Sequence, residues 1–322
     1  MYTPFGEVAV LRGTEHCTAF FRGLVACGSV WACPVCSAKV QERRREEIAK
    51  AFEWAYANGL QPVMITLTAP HKRCDKLENL MLQQRAALKM LRKGRGWDKF
   101  MRQIGYQGLI RALETTHGRS GFHPHVHEIW FVSSEIEAEN LLAAILKKWT
   151  SACIRAGLLD PLNSRQMKAF ARHAVDVRGW CSTSDYLAKA DDAKHWGADR
   201  EMAKGSTKKG RAKGLHPFGL LANAAAGDLG AGELYVEFVD TMKKLRCRQL
   251  YWSPGLKGRV GLQEKTDEEI AAEEREPADL LGLLAVGDWQ RVRLNRKRAQ
   301  LLDAAERGGW PAVTVLLQSL RR

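Results

Sequence analysis

His123-Pro124-His125-Val126-His127-Glu128-Ile129-Trp130-Phe131-Val132 is the stretch on which the reading of this chain turns. Successive side chains of a β-strand point to opposite faces. Read as a strand, the stretch puts His125 and His127 on one face together with Ile129 and Phe131. His123 is in phase with them, although Pro124 can turn it aside. Two imidazoles at i and i+2 make half of a divalent-metal site and leave coordination positions open for a substrate. Residues 107–116 also read as a strand, joined to 123–132 by the short, polar link HGRSGF. Such a hairpin brings Glu114 alongside the histidine pair. A mixed imidazole and carboxylate set suits Mn, Mg or Zn, and such an ion polarises a phosphoryl oxygen. Two rival readings stay open. A metal-free core histidine cluster is opposed by the crowding of three His into five residues of a chain that holds nine. A zinc hydrolase is opposed by the absence of the helical His-Glu-x-x-His spacing.

Outward from the histidines, residues 62–68 are apolar and β-branched and predict a third strand. Residues 39–57 predict a helix, with Ser37 as its start signal and Asn58-Gly59 as its stop. Helices are expected over 77–93, over 136–157 up to Gly157, and over 184–193, 231–245 and 267–274. The pattern is α+β: an antiparallel sheet core with flanking helices, an N-terminal zinc-binding element and a helical C-terminal part. The expected divisions are 1–58 for the zinc element and its basic helix, 59–200 for the core, 201–262 for a basic loop and the segment after it, and 263–322 for an acidic, then basic, helical tail. No repeat stands out. No Gly-x-x-x-x-Gly-Lys-Ser/Thr stretch occurs, so the sequence carries no sign of an ATP-driven motor.

The chain has 322 residues, 45% hydrophobic and 27% charged, which suits globular domains with at least one sizeable core. Its 50 Lys and Arg against 36 Asp and Glu leave a formal charge of +14, which favours a polyanionic partner. No apolar run is long enough to cross a membrane. The start, MYTPFGEVAV, lacks the basic and apolar parts of a secretion signal, so a cytoplasmic location is expected. Cys17, Cys27, Cys33 and Cys36 crowd the N-terminal region. Cys33-Pro34-Val35-Cys36 is a Cys-x-x-Cys knuckle that lets two sulfurs of one tight turn reach one ion, so the four Cys predict structural Zn2+, with His16 able to replace Cys17. A redox pair and unrelated buried thiols are the alternatives. Arg43 and Arg44 in the next helix either lie on phosphates or form a solvated face balanced by Glu42, Glu46 and Glu47. Lys204, Lys208, Lys209, Arg211 and Lys213 crowd a Gly-containing loop and are candidate DNA contacts, with Trp196 able to stack an unpaired base.

Three stretches, taken together and in order, resemble the motifs of the rolling-circle replication initiator (Rep) proteins of plasmids, in the HUH endonuclease superfamily. They are Ile65-Thr66-Leu67-Thr68-Ala69-Pro70-His71, His123-Pro124-His125-Val126-His127, and Tyr186-Leu187-Ala188-Lys189. The N-terminal CGSVWACPVC and the later Trp252-Ser253-Pro254-Gly255-Leu256 are similar to stretches in some plasmid members, so the resemblance runs from about residue 17 to about 260. It implies the HUH endonuclease fold. It also implies a metal-dependent single-strand DNA endonuclease and strand transferase that nicks one strand at its origin through a 5′-phosphotyrosine link. Tyr186 is then the nucleophile and Lys189 its partner. His125, His127 and Glu114 hold Mg2+ or Mn2+, with His71 and His123 as outer candidates. The implied partners are single-stranded and origin duplex DNA, host helicase, DNA polymerase and single-strand-binding protein, with no membrane and with homodimerisation left open. One departure stands out: Ser182 occupies the place, four residues before the Tyr, where several members carry Glu, and Asp185 is the nearest acid. Termination chemistry is therefore not carried over. The alternatives are an HUH transposase or mobilisation relaxase, and a non-catalytic zinc-dependent DNA-binding regulator.

Overall fold

The computed structural model describes residues 7–133, 138–180, 214–273 and 277–321. Along the chain the described elements are β1 (Glu7–Gly13), β2 (Ala19–Arg22), α1 (Pro34–Ala57), β3 (Gln61–Leu67), α2 (Leu77–Leu91), α3 (Arg95–Gln103), β4 (Gly108–Gly118) and β5 (Gly121–Val132). They continue with α4 (Ala138–Arg155), α5 (Ser164–His173), β6 (Val175–Trp180), α6 (Pro217–Ala225), α7 (Leu229–Lys244), β7 (Leu250–Trp252) and α8 (Leu256–Val260). The last are α9 (Asp267–Ala272), β8 (Ala278–Ala285), α10 (Val286–Leu294) and α11 (Arg298–Ser319). The helix expected over 184–193 lies outside the described residues, as does the basic loop through 213. No helix among the described residues is long and apolar enough to cross a membrane.

The chain divides into two compact units, one of Met1–Gly28 with Thr266–Arg322 and one of Ser29–Lys265. This division differs from the expected one. The N-terminal strands join the C-terminal tail because β1 pairs antiparallel with β8 on one side and with β2 on the other. The tail is therefore not wholly helical. ADLLGLLA has the leucines of a helix and no strict alternation, and its pairing with β1 overrides that local preference. Val8, Val10, Leu284, Trp289, Val292, Leu301 and Val313 form the buried core of this unit. Gly282 admits a close neighbour: a Cβ there would stand 2.3 Å from the Trp310 ring.

The larger unit is built on a five-stranded sheet, ordered β6-β3-β5-β4-β7, in which each neighbouring pair is antiparallel. The mixed architecture of antiparallel sheets with flanking helices agrees with the sequence reading. The β4–β5 hairpin is longer and tighter than expected. Pairing runs as far as Gly118↔Gly121, so only Arg119 and Ser120 link the strands. Gly121 makes this turn with φ of +87°, and a Cβ there would press to 3.1 Å from Arg73 Cα and the Lys72 carbonyl. That close approach holds the chain after His71 against the hairpin.

One face of β5 changes character along its length. Beyond His127, Ile129 and Phe131 turn apolar and meet Ile48, Ala51, Phe52 and Ala55 of α1, with Met64, Ile110, Ala112 and Leu256 completing a buried cluster. Each large side chain in that cluster contributes about 1.5–3 kcal/mol by leaving water. Helix α1 thus covers the apolar half of the face and leaves the imidazole half uncovered by this cluster. On the opposite face Glu128 and Trp130 meet α2 and α3 through Arg92 and Trp97.

Helix α1 begins at Pro34, earlier than the start expected from Ser37. Cys33 is its N-cap: its backbone is extended and its sulfur accepts from the Cys36 N–H at 3.5 Å. Proline suits the first helical position, where its missing N–H would have had no partner in the helix. The Cys-x-x-Cys knuckle is consequently the first turn of α1.

Candidate active site

Strand register places the candidate ligands side by side. Glu114 of β4 lies opposite His125 of β5, and Thr66 of β3 lies opposite His127. Directly opposed residues share a face of the sheet. Glu114 Oε2 is 3.2 Å from His127 Nε2 and 3.5 Å from His125 Nε2. One ligand atom from each of the three residues lies within 4.8 Å of the others. Glu114 and His127 are buried, and His125 is partly open. A buried carboxylate between two imidazole nitrogens has the donor chemistry of a divalent-cation site.

Hydrogen bonds on the far side of each ring set which nitrogen carries the proton. His125 Nδ1 faces the His123 carbonyl at 3.3 Å. A carbonyl only accepts, so Nδ1–H is the donor in this contact, which leaves Nε2 turned toward Glu114. His127 Nδ1 faces the Thr66 hydroxyl at 2.9 Å. A hydroxyl both donates and accepts, so Thr66 supports either tautomer. With Nε2–H donating to Glu114, Nδ1 accepts from Thr66. With Nε2 free to ligate, Nδ1–H donates to Thr66. Such outer contacts orient and tune a ligand imidazole.

His71 and His123 form a second pair beside the first, with Nδ1 atoms 3.0 Å apart and ring centroids at 4.6 Å. Burial, with the neighbouring His125 and His71, pushes His123 down to about 3. Burial also lowers His71. Both rings are therefore neutral at neutral pH, the form that has a lone pair to offer. Neither belongs to the compact group of three.

Two residues near this cluster were not singled out from the sequence. Thr66 was signalled only by its place in the strand of the first motif. His216 approaches because Leu215 forms a two-way backbone bridge with His117 at the end of β4. Burial lowers His216 while the Glu114 carboxylate acts to raise it, and its Nδ1 accepts from the Phe218 N–H as the cap of α6. No local spacing announces a contact made from so far along the chain.

Among the cysteines, Cys33 and Cys36 stand together at the first turn of α1, while Cys17 and Cys27 belong to the smaller unit. Cys17 stands in the turn after β1 at a φ of +54°. Arg43 pairs with Glu46 at 2.9 Å and remains at the surface. Arg44 is largely buried, donating to Glu47 at 2.9 Å and to the Lys265 carbonyl at 2.8 Å. Lys257 joins the same carboxylate at 3.2 Å. Tyr186, Lys189, Ser182, Asp185, Trp196, Lys204, Lys208, Lys209, Arg211 and Lys213 lie outside the described residues.

Comparison with known proteins bears on residues on both sides of the histidine strand. The family model described as "Replication protein" matches residues 23–152. "Protein rep" of Streptomyces lividans is 29% identical over 269 residues, covering 69% of this chain and 58% of that protein. A protein named "Neomycin resistance protein" in Streptomyces cyanogenus is 34% identical over 142 residues, covering 36% of this chain and 32% of that protein. The chain thus spans less than two thirds of the length of either relative. No solved structure matches it significantly. Over residues 23–152, which take in the first two motifs and the Glu114–His125–His127 group, this chain is similar to the replication-protein family.

Proposed function

We propose that the chain is a plasmid replication initiator that nicks one DNA strand at its origin, on an HUH endonuclease fold. The observation that carries the reading is the convergence of Glu114, His125 and His127 on one sheet face, within the stretch that matches the replication-protein family model. A divalent Mg or Mn ion bound by these three residues would withdraw charge from the scissile phosphate. Tyr186 supplies the nucleophile: its phenol oxygen bonds to phosphorus, the bond to the 3′ oxygen breaks, the phenol proton passes to solvent, and the leaving oxygen takes up a proton. The products are a 5′-phosphotyrosine and a free 3′-OH able to prime synthesis. A free Tyr is mostly protonated at neutral pH. Lys189, three residues on, holds a phosphate oxygen or favours the phenolate. The covalent link retains the energy of the broken bond, so attack by a 3′-OH can reseal a strand without ATP. Lys208, Lys209, Arg211 and Lys213, with Arg43 at the surface, supply phosphate contacts. Helicase, polymerase and single-strand-binding protein come from the host. Cys17, Cys27, Cys33 and Cys36 supply the ligands of a structural Zn2+.

The test incubates the protein with a labelled single strand of its own origin and Mn2+ or Mg2+. A protein–DNA adduct that survives denaturant is expected, and it disappears in Tyr186→Phe. His125→Ala abolishes nicking while keeping much of the non-covalent DNA binding. An adduct that persists in Tyr186→Phe refutes the assignment of the nucleophile. A protein that forms no adduct with either metal, and retains origin binding, is instead the non-catalytic regulator.

A further inference from the structure

The back of the hairpin that carries the histidines holds a second cluster of charge that the nicking reaction does not use. Arg111 of β4 lies opposite Glu128 of β5, on the sheet face away from Glu114 and His127. An open cavity of about 320 Å³ sits there, walled by Arg85 and Lys89 of α2, Arg92 that caps its C-terminal end, Arg111, Tyr106 and Tyr251. Arg85, Lys89 and Arg92 follow one another at i, i+4 and i+7, the spacing of one helix face. Glu128, fully buried behind this wall, is bound by both Arg92 and Arg111. Four cations line the cavity and the one buried carboxylate offsets only part of their charge, which leaves the cavity positive.

Several donors of these cations have no acceptor among the described residues. Lys89 is exposed and makes no ion pair there. Arg111 gives only its Nε to Glu128, at 2.6 Å, which leaves both terminal nitrogens available. The Nε of Arg92 is buried without a partner. Arg85 donates through one terminal nitrogen, to the Leu245 carbonyl and the Cys247 sulfur. The aromatic wall is as well defined: the Arg111 guanidinium lies over the Tyr251 ring at 5.3 Å. Burial first, and then Glu128, keep the Tyr106 phenol raised and therefore neutral.

We propose that this cavity binds a nucleotide unit, with its phosphate against Lys89 and the free nitrogens of Arg111 and its base against the Tyr251 and Tyr106 rings. Unused guanidinium and ammonium donors match phosphate oxygens. Phenol rings give a stacking surface that accepts any base. The volume lies at the small end of the range for ligand pockets, about 300–1,000 Å³. A free mononucleotide and one nucleotide of a single strand share this chemistry.

Titration calorimetry on the full chain with dTMP and with an eight-residue oligothymidylate separates the two sources. Binding of dTMP identifies a free-nucleotide site, and binding of the oligomer alone identifies a strand site. In either case Lys89→Glu weakens binding about tenfold or more and Tyr251→Leu weakens it as well. Lys168→Glu, an exposed change on α5, measures general loss of attraction and is expected to leave binding within about twofold. Binding is read without added Mg2+ or Mn2+, which nicking needs and this cavity does not, so failure here is distinct from failure of the nickase reading. Circular dichroism checks that the variants fold; Lys89→Gln, which keeps the side chain's length, stands in if Lys89→Glu does not. No binding of either probe at millimolar concentration overturns the proposal, and so does equal loss in Lys89→Glu and Lys168→Glu.

Discussion

Replacing Glu128 with Gln removes one negative charge from the middle of the larger unit and little else. The carboxylate is buried on all sides, accepts from Arg111 Nε at 2.6 Å and from Trp130 Nε1 at 2.8 Å, and pairs with Arg92. Burial by itself would raise its pKa. The two guanidinium groups outweigh burial and hold it down at about 2, against an ordinary value of 4.5. A difference of that size corresponds to about 3 kcal/mol of stability at neutral pH. Removing one partner of a buried pair costs about 3–5 kcal/mol when the charge left behind is fully enclosed. Arg92 and Arg111 are 22% and 21% exposed, so water relieves them in part and the lower figure applies. The amide oxygen of Gln still accepts from Trp130. The sign with pH follows from the depressed value. The contribution is complete above about pH 5 and declines as pH falls toward 2, with about 1 kcal/mol gone by pH 4 and about 2 kcal/mol by pH 3. A chain of two units need not unfold in one step. Pulse-labelled hydrogen exchange along a urea titration, read on peptides from β4 and β5, reports this unit directly. Glu128→Gln is expected to lose about 3 kcal/mol at pH 7, and the gap to the native chain is expected to narrow between pH 5 and pH 3. A variant as stable as the native chain at pH 7, or a gap that stays constant down to pH 3, would show that the arginines do not stabilise this carboxylate.

Three further outcomes are expected. Thr66→Val removes the outer partner of His127 and should weaken Mn2+ affinity about tenfold or more by calorimetry, with the fold unchanged by circular dichroism; unchanged affinity would mean that the His127 ring needs no such support. The native chain should carry bound zinc by mass spectrometry of metals, and Cys36→Ser should lose most of it; a purified chain free of zinc without chelator treatment would contradict the thiolate site. Gly282→Ala drives a methyl group into the Trp310 ring and should lower the stability of the smaller unit by about 1–3 kcal/mol in urea unfolding, measured by exchange of β1 and β8 peptides. Full stability in that variant would show that Trp310 moves aside without cost.

The hairpin was legible because its signals are local. Alternation along 123–132 assigns the faces, the polar link closes the turn, and together they bring Glu114 to the histidines without any distant information. The helix expected over 77–93 and found over Leu77–Leu91 is legible for a similar reason: its composition favours a helix locally. Strand β8 was not, because its leucines carry no alternation and only β1, more than 260 residues away in sequence, makes it a strand. Arg44 illustrates the same limit in a single side chain. A run of three arginines reads equally as a phosphate contact or a balanced surface, and burial against Glu47 and Lys265 is visible only once α1 has its neighbours.

Residue type and period thus settle that two imidazoles and a carboxylate share a strand face, that the chain is strongly basic, and that its cysteines gather near the start of a helix. Folding in three dimensions adds what no window of sequence contains: Thr66 behind His127, the Glu114 charge acting on His216, and two arginines closed on Glu128. The reason is physical. Side-chain alternation and turn chemistry act over a few residues, whereas tautomer, burial and the electrostatic field at a site arise from groups brought together across tens to hundreds of residues.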